Sequence, residues 1–131
     1  MIGLDTNVVL RILTGDDVRQ VTAVRKLLSA RHDETGAFFI NQVVLAECAW
    51  ALKAAYGVSK QDIATGLRTL VETPSYEIED REIVGEALNR FEGSAADFAD
   101  CLIAAKNLAA GCKFTASFDK AMQALPGVRP V

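Results

Sequence analysis

A short apolar run opens the chain and ends on an acid, so residues 1–5 predict a buried strand closing at Asp5. Helical spacing follows through Leu13, where Thr14-Gly15 stops it. Asp16-Asp17 then predicts the cap of a second helix, in which Val21, Val24, Leu27 and Leu28 recur at helical intervals. Ala37 to Ile40 reads as a second strand, and Asn41 caps a helix running to Tyr56-Gly57. Ser59 opens another helix, to about Glu72, ended by Thr73-Pro74. Tyr76 to Ile78 is a third strand, and Asp80 starts a helix reaching Phe91. Gly93-Ser94 leads into a long helix up to Ala110-Gly111. Lys113 to Ala116 is a fourth strand, residues 118–124 a short helix, and Val128-Arg129 a last strand after Pro126-Gly127.

About five short strands alternating with about seven helices predict an α/β fold with a short parallel central sheet covered on both faces. No repeat, low-complexity tract or linker divides the sequence, so residues 1–131 are expected to form one domain. Right-handed crossovers gather the carboxyl ends of parallel strands along one edge, where open α/β sheets bind their ligands. Asp5 falls on that edge, with Asn41 and the segment after Ala116 nearby.

Composition narrows the chemistry. Half of the 131 residues are apolar, enough for a sizeable core. Lysine plus arginine is 14 against 17 acids, so a polyanion could not be held by general basicity. A local patch or a bound cation would have to offset the chain's own charge. No leader and no membrane-length apolar run is seen, and the odd, irregularly spaced Cys48, Cys101 and Cys112 suit reduced thiols; a cytoplasmic location is expected. His32 is the sole histidine and follows a helix end, where a cation is simply favourable. Two-histidine acid–base catalysis and His/Cys zinc sites are therefore excluded.

Four acids stand out from the rest. Asp5 can cap the following helix, and that role is compatible with binding a metal. Glu47 is the one charge in the ten residues from Val43 to Leu52. In so apolar a helix it is paired, protonated or metal-bound, unless it marks a narrow solvated face. Asp97 closes the capping-box pattern Ser94-Ala-Ala-Asp97, whereas Asp100, on the same helix face, has no such structural task. Two acids three residues apart repel, and a cation reverses that sign. Asp119, in Ser117-Phe-Asp-Lys, is either an ordinary acid in the first turn of a helix capped by Ser117 or a fourth ligand. Lys53 and Arg68 read as stems lying on apolar surface with their charges in water. Arg11 is either a phosphate contact or part of a wet helix face.

Taken together, Leu4-Asp-Thr-Asn-Val8, Leu45-Ala-Glu-Cys48, Asp97-Phe-Ala-Asp-Cys-Leu-Ile-Ala-Ala105 and Ser117-Phe-Asp-Lys120 resemble, in order and spacing, the PIN-domain ribonucleases, and among them VapC-type toxins. The resemblance spans essentially the whole chain. It implies catalytic acids at Asp5, Glu47, Asp100 and Asp119, with Thr6, Asn7 and Ser117 in support; Asp97, from its place beside Asp100, either stands behind the ligands or is an additional metal ligand. Ser117 stands where many relatives have threonine, which keeps the hydroxyl.

The implied activity is a metal-dependent endoribonuclease. One or two Mg²⁺ or Mn²⁺ ions on hard carboxylate oxygens would orient and activate a water for in-line attack on a phosphodiester. The implied partners are an RNA substrate, a cognate antitoxin protein and a second copy in a homodimer, for which residues 43–56 and 59–72 offer a surface. The alternative is a catalytically silent PIN-like scaffold or metal-binding interaction module. A haloacid-dehalogenase-type phosphotransferase is disfavoured because the position two after Asp5 is Asn7 rather than a second aspartate.

Overall fold

Local capping chemistry sets most helix starts in the computed structural model, which describes residues 1–131. Asp5 caps α1 (Thr6–Thr14), Asp17 caps α2 (Val18–Ser29), Asn41 caps α3 (Gln42–Ala54) and Ser59 caps α4 (Lys60–Glu72). In each, the side-chain oxygen accepts an otherwise unpaired N–H of the first turn. Gly15 closes α1 in the left-handed region at φ 66°, the conformation that costs glycine least. The remaining helices are α5 (Arg81–Glu92), α6 (Phe98–Ala109) and α7 (Lys120–Gln123).

Three parallel strands, β1 (Ile2–Gly3), β2 (Phe38–Ile40) and β3 (Tyr76–Ile78), lie side by side in that order. Ile2 pairs with Phe38, which in turn pairs with Tyr76. The last two strands, β4 (Thr115–Ser117) and β5 (Val128–Pro130), form a separate parallel pair. The α/β expectation and the strand positions hold, but the central sheet is smaller than the five-stranded one expected. β1 spans two residues before Leu4 and Asp5 turn the backbone into α1, which leaves too little extended chain for a second ladder.

Phe38 and Ile40 of the central strand are fully buried, and α3 to α6 contribute Leu45, Leu67, Leu88 and Phe98 to one continuous core of 29 residues. Phe91 and Phe98 meet edge to face with ring centroids 6.0 Å apart. Leu67→Ala, at a position with no exposure, is expected to lower stability by about 2–5 kcal/mol, read as an earlier urea midpoint. No helix is long and apolar enough to cross a membrane.

This frame positions the site. Asp5 follows β1 by two residues, Asn41 follows β2 directly, and Asp119 follows β4 by two residues. α3 packs against both α1 and α6, so residues on its exposed face lie between the two.

Candidate active site

Asp5 has extended backbone (φ −88°, ψ 175°), and its Oδ1 accepts the Val8 N–H at 3.0 Å. The capping role is therefore real, and it leaves Oδ2 outside that bond. Thr6 donates its hydroxyl to Glu47 Oε1 at 2.8 Å, so it steadies Glu47 rather than its neighbour Asp5. Glu47 shares an exposed face of α3 with Val43 and Trp50; it is paired to Thr6 and also wet. Beneath it, the buried Cys48 donates weakly to the Thr6 carbonyl at 3.7 Å. Burial first, then the charges of Glu47 and Asp5, push the Cys48 thiol up to about 12. Both carboxylates thus act on one buried atom. Asn7 lines an adjoining groove of about 480 Å³ together with Thr6, Leu10, Glu47 and Trp50.

Across α3 lies a second set of acids. Asp97 is the residue just before α6, and its carboxylate accepts no backbone N–H. It binds Lys53 Nζ at 2.8 Å instead. Ser94 accepts from Ala96 N at 3.3 Å, so the capping box read from Ser94 to Asp97 does not form. The helix begins three residues later than that pattern requires. Asp100, in the first turn, is half-buried and shares in no hydrogen bond. Burial, then the charges of Asp119 and Asp97, hold its carboxyl above the ordinary range, and Lys53 offsets part of this. Asp119 is itself the cap of α7, accepting Met122 N–H at 2.8 Å, while Ser117 Oγ accepts the Asp119 N–H at 3.0 Å. The expected order, Ser117 as cap and Asp119 inside the helix, is reversed.

Asp5 and Glu47 therefore form one group with Thr6, and Asp97, Asp100 and Asp119 form another with Lys53. No three acids converge closely enough to enclose an ion as they stand. The donor set is nonetheless all hard oxygen, and Asp100 carries uncompensated repulsion that a cation would relieve.

Lys53 is exposed, as expected for a stem lying on apolar surface with its charge in water, and its ammonium also pairs with Asp97. It is six residues after Glu47 in a helix otherwise poor in charge, which was the available signal. Arg11 is largely covered rather than on a wet helix face. It is held by Asp16 at 2.7 Å and the Tyr56 hydroxyl at 3.0 Å, tying the end of α1 to the end of α3. Arg68 likewise pairs with Glu92 at 2.6 Å. His32 stays exposed in a turn beside Asp33, far in function from the acids. Of the thiols, Cys112 is exposed while Cys48 and Cys101 are buried. One fast-reacting thiol is expected with a disulfide reagent under native conditions, and three after unfolding.

The chain belongs to the PIN-domain family, whose pattern matches residues 2–128. It is also similar to the VapC ribonuclease of Aquifex aeolicus (strain VF5), with 24% identity over 122 residues, covering 93% of this chain and 90% of that protein. The two findings together support a nuclease of VapC type.

Proposed function

We propose that residues 1–131 form one metal-dependent endoribonuclease domain, the toxin of a type II toxin–antitoxin pair. The observation that carries this reading is Asp100: a half-buried acid without a hydrogen bond, facing the charges of Asp97 and Asp119. A structural role gives no reason to assemble such repulsion, whereas a divalent cation does.

Asp5 and Asp100 would hold Mg²⁺ or Mn²⁺, with Glu47 and Asp119 completing the shell directly or through water and Asp97 as an additional ligand. When bound, the ion supplies Lewis acidity and lowers the pKa of water. Thr6 fixes the Glu47 carboxylate through the 2.8 Å bond, so that one oxygen stays available to orient or accept a proton from water. Ser117 fixes the backbone turn that presents Asp119. Lys53 neutralises Asp97 before RNA arrives and lies at the rim where a phosphate would approach.

An antitoxin whose tail covers these acids, and a homodimer, belong to the same proposal. On α4 the apolar residues Ile63, Leu67 and Leu70 turn into the core, which leaves its outer face polar. Val43 and Trp50 remain exposed on α3, so of the two helices expected at a dimer contact it is α3 that keeps apolar surface for one.

One observation favours the alternative of a silent scaffold, namely that no three acids converge. Cleavage of a structured RNA pool by the antitoxin-free protein, with Mg²⁺, Mn²⁺ or EDTA, separates the two. Metal-dependent cleavage is expected, and none under any condition would favour the scaffold.

A further inference from the structure

Of the five acids in the candidate site, only Asp97 is in an ion pair, with Lys53 Nζ at 2.8 Å. The pairing is unexpected at that place. Asp97 stands directly before α6, where a carboxylate ordinarily caps the first-turn N–H groups, yet it makes no such bond. It is engaged instead by the last turn of α3, 44 positions earlier in the chain. Lys60, which also reaches the start of α6, is taken up by the Ala96 carbonyl at 2.7 Å and by the Phe91 ring. Lys53, Asp97 and Asp100 line one small cavity between α3 and α6. The bond to Asp97, and the charges of Asp97 and then Asp100, hold the Lys53 ammonium above its ordinary range, so it stays charged. In return it draws Asp100 back towards the ionised form. One flexible cation therefore serves two of the carboxylates proposed to hold the ion.

We infer that Lys53 is a tethered stand-in for the metal: its ammonium occupies Asp97 in the metal-free protein, and a divalent ion gains that carboxylate only by displacing it. This rests on the metal-site reading above. Ammonium and hard cation compete for the same oxygens, since each is a compact positive charge. The exchange is easy, because the side chains of Lys53 and Asp97 stay 64% and 59% exposed and such a pair is weak. The four-carbon stem also lets the ammonium swing clear without moving the helix. A structural strap is the weaker account. Helices α3 and α6 already pack against each other, so an exposed tie adds little to holding them. Lys53 thus acts through Asp97. It limits the repulsion among the acids while no ion is bound, and it lowers the affinity for the ion.

The test is calorimetric titration of the whole chain with Mn²⁺, in the absence of RNA. Lys53→Met keeps most of the stem and removes the charge, at an exposed position where the fold is not at risk. At low salt it should bind Mn²⁺ about tenfold more tightly than the parent, because one positive charge beside a divalent ion is gone. High salt should shrink the gain, and Lys53→Arg should bind no tighter than the parent. Asp97→Asn should change the parent's affinity little, yet remove most of the gain when combined with Lys53→Met. Equal affinity in the parent and Lys53→Met, with binding lost in Asp100→Asn, overturns the inference while leaving the metal site intact. A gain that survives Asp97→Asn makes Lys53 a distant charge rather than the occupant of Asp97, and overturns it too. Binding by Lys53→Met alone upholds the competition in its strongest form. Absence of binding in every variant removes the metal site and the inference with it.

Discussion

Asp5→Asn and Asp100→Asn are each expected to lower RNA cleavage by roughly a thousandfold or more, with the fold retained. The magnitude follows from the several kcal/mol of charge stabilisation a metal supplies in the transition state, at about 1.4 kcal/mol per tenfold. Both substitutions keep the side-chain shape and remove one negative charge. In Asp5→Asn the side-chain oxygen can still cap α1, since the Val8 N–H needs only an acceptor. Its far-ultraviolet dichroism should therefore match that of the parent. Thr6→Val gives the graded comparison: it frees Glu47 from its 2.8 Å donor without touching a ligand. Loss of such a supporting bond costs roughly ten- to a hundredfold. Steady-state cleavage of one RNA by all three variants checks the ranking. Equal activity in Asp5→Asn and the parent would remove the carboxylates from the chemistry altogether.

The contrast between Asp5 and Thr6 shows which parts of this molecule the sequence could disclose. Helix starts at Asn41 and Ser59 are local events, because the capping oxygen and the N–H it serves are three residues apart. Short apolar runs bounded by turn and capping residues likewise place every strand to within a residue or two. The supports of the site are long-range instead. Thr6 reaches Glu47 over 41 positions and Lys53 reaches Asp97 over 44, and no periodicity encodes either meeting. Capping patterns fail for a related reason at Asp97 and Asp119. Two capping-type residues precede each helix, Ser94 and Asp97 or Ser117 and Asp119, and burial of Phe98 and Met122 in the core favours the second as cap. The split of the sheet is also invisible in composition, since it depends on how soon β1 turns into α1. Glu47 and Asp100 are legible as candidates because a lone charge in an apolar helical run is conspicuous, whereas Asp5 and Asp119 stand out by following predicted strands.

On the proposed metal site, millimolar Mn²⁺ at pH 7 should raise the melting temperature by on the order of 10 °C when present at about a hundred times its dissociation constant. Such an excess is worth about 2.7 kcal/mol when only the folded state binds, and a domain of this size gains a few degrees per kcal/mol. The metal-free protein should show the opposite side of the same electrostatics. Asp100 has a folded-state pKa raised by burial and by Asp119 and Asp97, with Lys53 opposing. Its stabilising contribution is fully present below the ordinary carboxylate pKa and is lost as pH rises through the raised folded value. At neutral pH the ionised Asp100 is thus a net cost, kept small by its partial exposure to solvent. Asp100→Asn should melt about 1–3 °C higher than the metal-free parent at pH 7. The gap should close towards acid pH, where the parent carboxyl is protonated. The same variant should lose most of the Mn²⁺ response. Calorimetry across pH, with and without Mn²⁺, reads all of these effects on one sample series. A parent melting temperature indifferent to Mn²⁺, beside an Asp100→Asn variant no more stable than the parent, would mean that the five acids never act on a common ion.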